Sequence, residues 1–104
     1  MGYTCGSMFQ VALTQSALDD IAWFSKRERT IIFDRIEEQL TYEPTAPTRN
    51  RKKVRPNQTA EWEVRIDNFR VFYDVDASEN VVEVKVVGHK PGNKLFVRGK
   101  EFTL

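Results

Sequence analysis

The sequence predicts an α+β domain, a curved antiparallel β-sheet packed against an N-terminal αα-hairpin, in the order β-α-α-β-β-β. Three observations carry this prediction. Residues 18–40 place apolar side chains at helical spacing, residues 60–87 alternate apolar and polar side chains, and the helical half precedes the strand half. At 104 residues and 40% hydrophobic content, the chain can close one modest core, so a functional site is expected in a surface cleft.

Phe9, Val11 and Leu13 alternate with Gln10 and Ala12, which predicts a first strand over about residues 8–13. Ser16-Ala17-Leu18-Asp19 reads as a capping box, with Leu18, Ile21, Ala22 and Ser25 on one side of the helix it opens. The basic break Lys26-Arg27 leads into a second helix. There Ile32, Phe33, Ile36 and Leu40 form an apolar stripe while Asp34, Arg35, Glu37 and Glu38 face water. Pro44 ends this helix, because the residue before a proline is pushed out of helical geometry. Residues 43–57, EPTAPTRNRKKVRPN, have three prolines and no periodicity and read as a loop. Residues 1–7, MGYTCGS, show no periodicity before Met8 and read as an N-terminal extension outside a single domain of residues 8–104.

Three strands follow at about residues 60–66, 69–75 and 81–87. Asp67-Asn68 is a two-residue hairpin connection, since Asp and Asn tolerate positive φ. Placing Ile66 opposite Phe69 sets Arg65 against Arg70, Val64 against Val71 and Glu63 against Phe72. Trp62, Val64, Ile66, Phe69, Val71, Tyr73 and Val75 then share the core face with Val82, Val84 and Val86. The opposite face is expected to carry Glu61, Glu63, Arg65, Arg70, Phe72, Asp74, Glu83, Lys85, Val87 and His89, with His89 and Lys90 arriving at the hairpin end.

The net charge of +1 conceals an asymmetry. Residues 1–48 hold four basic against seven acidic side chains, and residues 49–104 hold twelve against eight. The densest run is Arg49, Arg51, Lys52, Lys53 and Arg55, which points to an anionic partner. Beside an open sheet face with Arg65, such a loop suits RNA, because cations meet phosphates and aromatic side chains such as Phe72 and Phe96 can stack on bases. A shared anion would relieve the repulsion between Arg65 and Arg70. His89, at a strand end, can exchange protons near neutral pH. One cysteine, Cys5, excludes an internal disulfide, and with a lone histidine it cannot assemble a zinc site, so no metal or other cofactor is expected. No apolar run approaches the roughly 20 residues that span a bilayer. The start of the chain also lacks a signal-peptide layout, so the protein reads as cytoplasmic and without a membrane partner.

The segments WEVRIDNFRVFYDVD and VVEVKVVGHKPGNKLF resemble the RelE/ParE superfamily of toxins from type II toxin–antitoxin systems, over about residues 8–104. The likeness rests on a hairpin carrying Arg65, Phe69-Arg70 and Tyr73, and on the Gly88-His89-Lys90 strand end. It implies a RelE-like fold and a cognate antitoxin partner. RelE-like members enter the ribosome and cleave mRNA without a metal, whereas ParE-like members inhibit DNA gyrase. Position by position, Arg70 matches the phosphate-binding arginine of the RelE hairpin and Lys90 stands where RelE has an arginine. Phe96 stands at a catalytic tyrosine position, and Glu61 and Glu63 stand at two catalytic lysine positions. The resemblance thus implies a ribosome-dependent mRNA endonuclease that inhibits translation. In it His89 with Glu61 or Glu63 would serve as acid and base, and Arg70 and Lys90 would hold the phosphate. A gyrase inhibitor, or an inactive relative that only binds its antitoxin, is the alternative.

Overall fold

Thr14, not Ser16, opens the first helix. Its Oγ1 accepts a hydrogen bond from Ala17 N at 3.1 Å, so α1 runs Gln15–Ala22. The capping box belongs instead to α2 (Lys26–Leu40), where Ser25 Oγ accepts from Glu28 N and Glu28 Oε1 accepts from Ser25 N. The computed structural model describes residues 8–104, so the extension 1–7, with Cys5, lies outside the described residues. Ala17, Ile21 and Phe24 from α1 and its turn, with Ile32, Ile36 and Leu40 from α2, are buried against the sheet. Leu18 and Phe33, expected in the stripes, are exposed at their margins. No helix of the described residues is long and apolar enough to cross a membrane.

The sheet runs β2 (Arg51–Lys53), β3 (Trp62–Ile66), β4 (Phe69–Asp76), β5 (Val81–His89), β6 (Phe96–Val97) and β7 (Lys100–Glu101), each antiparallel to the next. β1 (Gln10–Leu13) lies parallel to β5. The β3–β4 register is the expected one, with Arg65 opposite Arg70 and Ile66 opposite Phe69, and Asp67 takes the positive φ (53°) in the turn. The segment expected to be wholly loop contains β2, an edge strand that sets Lys52 against Glu63.

Beyond Val84 the predicted faces of β5 are exchanged. Tyr73 pairs with Val84 and Phe72 with Val86, which leaves Lys85 as an extra residue in a β-bulge. Because strand faces alternate with period two, one extra residue turns every later side chain over. Val87 therefore joins the main core, and Val86 joins Ala60 and Phe72 in a second cluster on the far face. His89 is likewise turned to the helix side, where it meets Phe24.

The face expected to be open is covered. Val54, Leu95, Val97 and Phe102 pack against the cluster of Ala60, Phe72 and Val86, in which Phe72 is 2% exposed. Gly88 permits this cover: a Cβ there would lie 2.5 Å from the carbonyl oxygen of Phe96, where β6 crosses. Arg98 and Gly99, both at positive φ (51° and 78°), form the two-residue turn between β6 and β7.

Candidate functional site

The hairpin end of β3 and β4 divides the candidate residues between two faces. On the face away from the helices lie Glu63, Arg65 and Arg70. Arg70 is 9% exposed, and its guanidinium donates to the carbonyl oxygens of Asp67 (3.0 Å) and Phe69 (2.9 Å). Its Nε stands 3.7 Å from Glu63 Oε2. Burial, and then the charge of Arg65, push the Arg70 pKa below its ordinary value, and Glu63 partly offsets them. Arg70 was expected as a free cation on an open surface. It is instead a largely buried clasp on its own turn.

Beside this clasp is a cleft of about 290 Å³ lined by Glu63, Lys90, Lys94, Leu95, Phe102 and Thr103. Lys90 arrives because its backbone N–H donates to Asn68 O at 2.7 Å, which ties the end of β5 to the β3–β4 turn. Glu61 is exposed at the strand edge, and its N–H donates to Asp74 Oδ1 at 2.7 Å. Phe72 offers no free ring face for stacking, because the second cluster encloses it.

The basic run separates in the same way. Arg49, Lys52, Lys53 and Arg55 are exposed, and the last three line a groove of about 510 Å³. Arg51 is not part of that surface. Its side chain passes to the core side, where Nε donates to Ala46 O (2.8 Å) and an Nη donates to Gln39 O (2.6 Å). It thereby fastens the segment before β2 to the end of α2. Tyr73 supplies a second tie, its hydroxyl donating to Pro44 O at 2.6 Å, and burial raises its pKa well above the ordinary value.

On the helix side, His89 lies between Trp23 (ring centroids 5.6 Å, planes 14° apart) and Phe96 (5.7 Å, 29°). Phe24 meets it edge-on at 5.8 Å. The His89 Nδ1 atom is buried without a hydrogen-bond partner. His89 and the pair Arg70–Glu63 thus stand on opposite faces of the sheet, although their strands are neighbours.

Asp20 was not singled out by sequence, although it stands in the stripe of Ala17, Ile21 and Phe24. It is 1% exposed, and its Oδ2 accepts the backbone N–H of Val87 at 3.1 Å. Arg98 Nε lies 3.0 Å from its Oδ1, out of line for a hydrogen bond. Burial raises the Asp20 pKa; the Val87 hydrogen bond and then Arg98 offset part of that rise. The location explains the residue. β5 pairs with β1 up to Val84 and with β6 at His89. Asp20 supplies an acceptor in the gap between those partners. Among the described residues, no group of three or more His, Cys, Asp or Glu side chains is placed to hold a metal ion.

Residues 11–91 match the model of the ParE toxin of the type II toxin–antitoxin system parDE. None of the curated proteins matches the chain. Among solved structures, the fold is similar to the RelBE2 toxin–antitoxin complex of Mycobacterium tuberculosis, with a TM-score of 0.72 at 21% identity, covering 83% of this chain and 95% of that one. It is also similar to the archaeal RelE–RelB complex of Pyrococcus horikoshii OT3, with a TM-score of 0.64 at 17% identity, covering 83% of this chain and 98% of that one.

Proposed function

We propose that this chain, which belongs to the ParE toxin family of type II toxin–antitoxin systems, acts by docking on a macromolecular target in the cytoplasm rather than by cutting RNA. The target that the family likeness suggests is DNA gyrase, and the inhibitor is a cognate antitoxin, as in the complexes formed by its structural neighbours. One observation carries the reading: His89 lies across the sheet from Arg70 and Glu63. Cleavage at a ribose 2′-OH needs a base, an acid and a phosphate-binding cation within hydrogen-bond reach of one substrate. Here the only histidine is stacked between aromatic rings on one face. The central arginine on the other face is largely buried, with one Nη donating to the turn carbonyls and Nε beside Glu63. The exposed cations Arg49, Lys52, Lys53, Arg55 and Arg65 then serve as contacts to nucleic-acid phosphates at the target, without reading sequence.

A ribosome-dependent mRNA endonuclease is the second reading. The cleft that gathers Glu63, Lys90 and the Lys94–Glu101 pair favours it, because carboxylates and cations side by side are a usable arrangement for phosphate chemistry without a histidine. The purified chain, added to gyrase and relaxed plasmid, decides for or against gyrase. Loss of supercoiling with accumulation of cleaved plasmid supports the docking reading. Undisturbed supercoiling at a large molar excess of toxin contradicts it.

A further inference from the structure

The helix-side cleft beside His89 is separate from the basic groove and shares with the Arg70 clasp only the turn residues Asp67 and Phe69, and its chemistry is of the opposite sign. It has a volume of about 330 Å³, with walls from Trp23, Phe24, Phe69 and His89 and a rim that includes Glu28 and Asp67. Trp23, at the turn between the helices, is 51% exposed. Phe24 stands edge-on to both Trp23 (5.2 Å) and Phe69 (5.1 Å), which holds the aromatic walls in place.

No lysine or arginine lines this cleft among the described residues. Of the nearby basic residues, Lys26 and Arg27 are exposed and absent from the lining, and two others are placed elsewhere. Arg29 donates to Ala22 O and Phe24 O at the end of α1, and Lys90 lines the cleft on the far face. Glu28 is held as a carboxylate by its hydrogen bonds with Ser25, which lower its pKa. An aromatic-walled pocket with two carboxylates suits a side chain that has an apolar stem and a cationic head. A nucleotide fits poorly, because its phosphate would approach the same carboxylates.

We propose that this cleft docks an arginine side chain presented by a protein partner. The methylene stem lies against Trp23, Phe24 and Phe69, and the guanidinium reaches Glu28 and Asp67. Arginine suits the site better than lysine, because its planar group both stacks on rings and pairs with carboxylates. The proposal goes beyond the proposed function and does not depend on it: His89 forms one wall of the cleft, but the arginine is held by the rings and the two carboxylates whether or not the chain acts on RNA.

The test follows the Trp23 indole N–H signal by NMR in the full chain. Three probes are titrated separately: an acetyl-Gly-Arg-Gly amide, its citrulline counterpart, and adenosine monophosphate. The arginine peptide shifts the Trp23 signal, and the neutral citrulline peptide binds at least about fivefold more weakly. In Glu28→Gln/Asp67→Asn that preference disappears while the rest of the spectrum is kept, because Gln still completes a capping box and Asn tolerates positive φ. Equal binding of the arginine and citrulline peptides, a larger Trp23 response to the nucleotide, or no response to any probe would each overturn the assignment.

Discussion

Asp20 on α1 accepts the backbone N–H of Val87 on β5 at 3.1 Å, from a position almost wholly out of water. The carboxylate satisfies a strand donor at the cost of being ionised in a poorly hydrated place. Its folded pKa is raised, chiefly by that burial. Between the ordinary value of 3.8 and the folded value, the folded state therefore binds more protons than the unfolded state. The Asp20 contribution to stability is full below 3.8 and is lost as pH rises through the folded pKa. Denaturation of the wild type and Asp20→Asn across that window should give a difference curve that falls with pH. Parallel curves for the two proteins would contradict the burial argument.

Arg70 is expected to matter for folding. Arg70→Ala strands two turn carbonyls and Glu63, which should cost about 2 kcal/mol by the usual penalty for unpaired buried groups. Urea unfolding measures this directly, with Arg70→Lys recovering only part of the loss. A midpoint unchanged in the Ala variant would return Arg70 to the role of a free surface cation.

Arg51 and its basic neighbours should separate cleanly. Lys52→Gln/Lys53→Gln/Arg55→Gln should leave stability within about 0.5 kcal/mol, while flattening the salt dependence of binding to the gyrase–DNA complex by roughly two to three charges. Arg51→Gln should do the reverse, costing about 2 kcal/mol through its lost buried hydrogen bonds. Equal behaviour of the two variants in both measurements would mean that the groove and the clasp are not distinct.

Gly88→Ala should lift β6 from β5, since the new Cβ meets backbone and not a movable side-chain tip. The expected penalty is about 1–3 kcal/mol. Limited proteolysis should show earlier cutting within residues 90–104, and an unchanged cleavage pattern would argue against the close crossing.

The β3–β4 hairpin was legible because Asp67-Asn68 and strict alternation leave one register that buries the apolar side chains. The end of β5 was not legible. In VVEVKVVGH the adjacent valines, Val86 and Val87, are both apolar, so a bulge at Lys85 leaves no mark in the pattern. That one residue decides which face receives His89, and with it the reading of the site. Arg51 looks like Lys52 in the sequence, and only the carbonyls of Gln39 and Ala46 distinguish them. Asp20 left a faint signal, an acid at core spacing in a helix. The family was readable from the hairpin and the Gly-His-Lys strand end. The activity was not, because it turns on the relative placement of groups that a period-two pattern misassigns.

His89 stands on the face of the sheet opposite Arg70 and Glu63, and under the proposed docking function the purified toxin is expected to leave RNA uncut. The most direct measurement maps mRNA ends on programmed ribosomes incubated with the purified toxin. Intact message is expected at any toxin-to-ribosome ratio. Cuts at the codon in the A site, lost in both His89→Gln and Arg70→Lys at unchanged folding, would show that the two groups act together, and would contradict it.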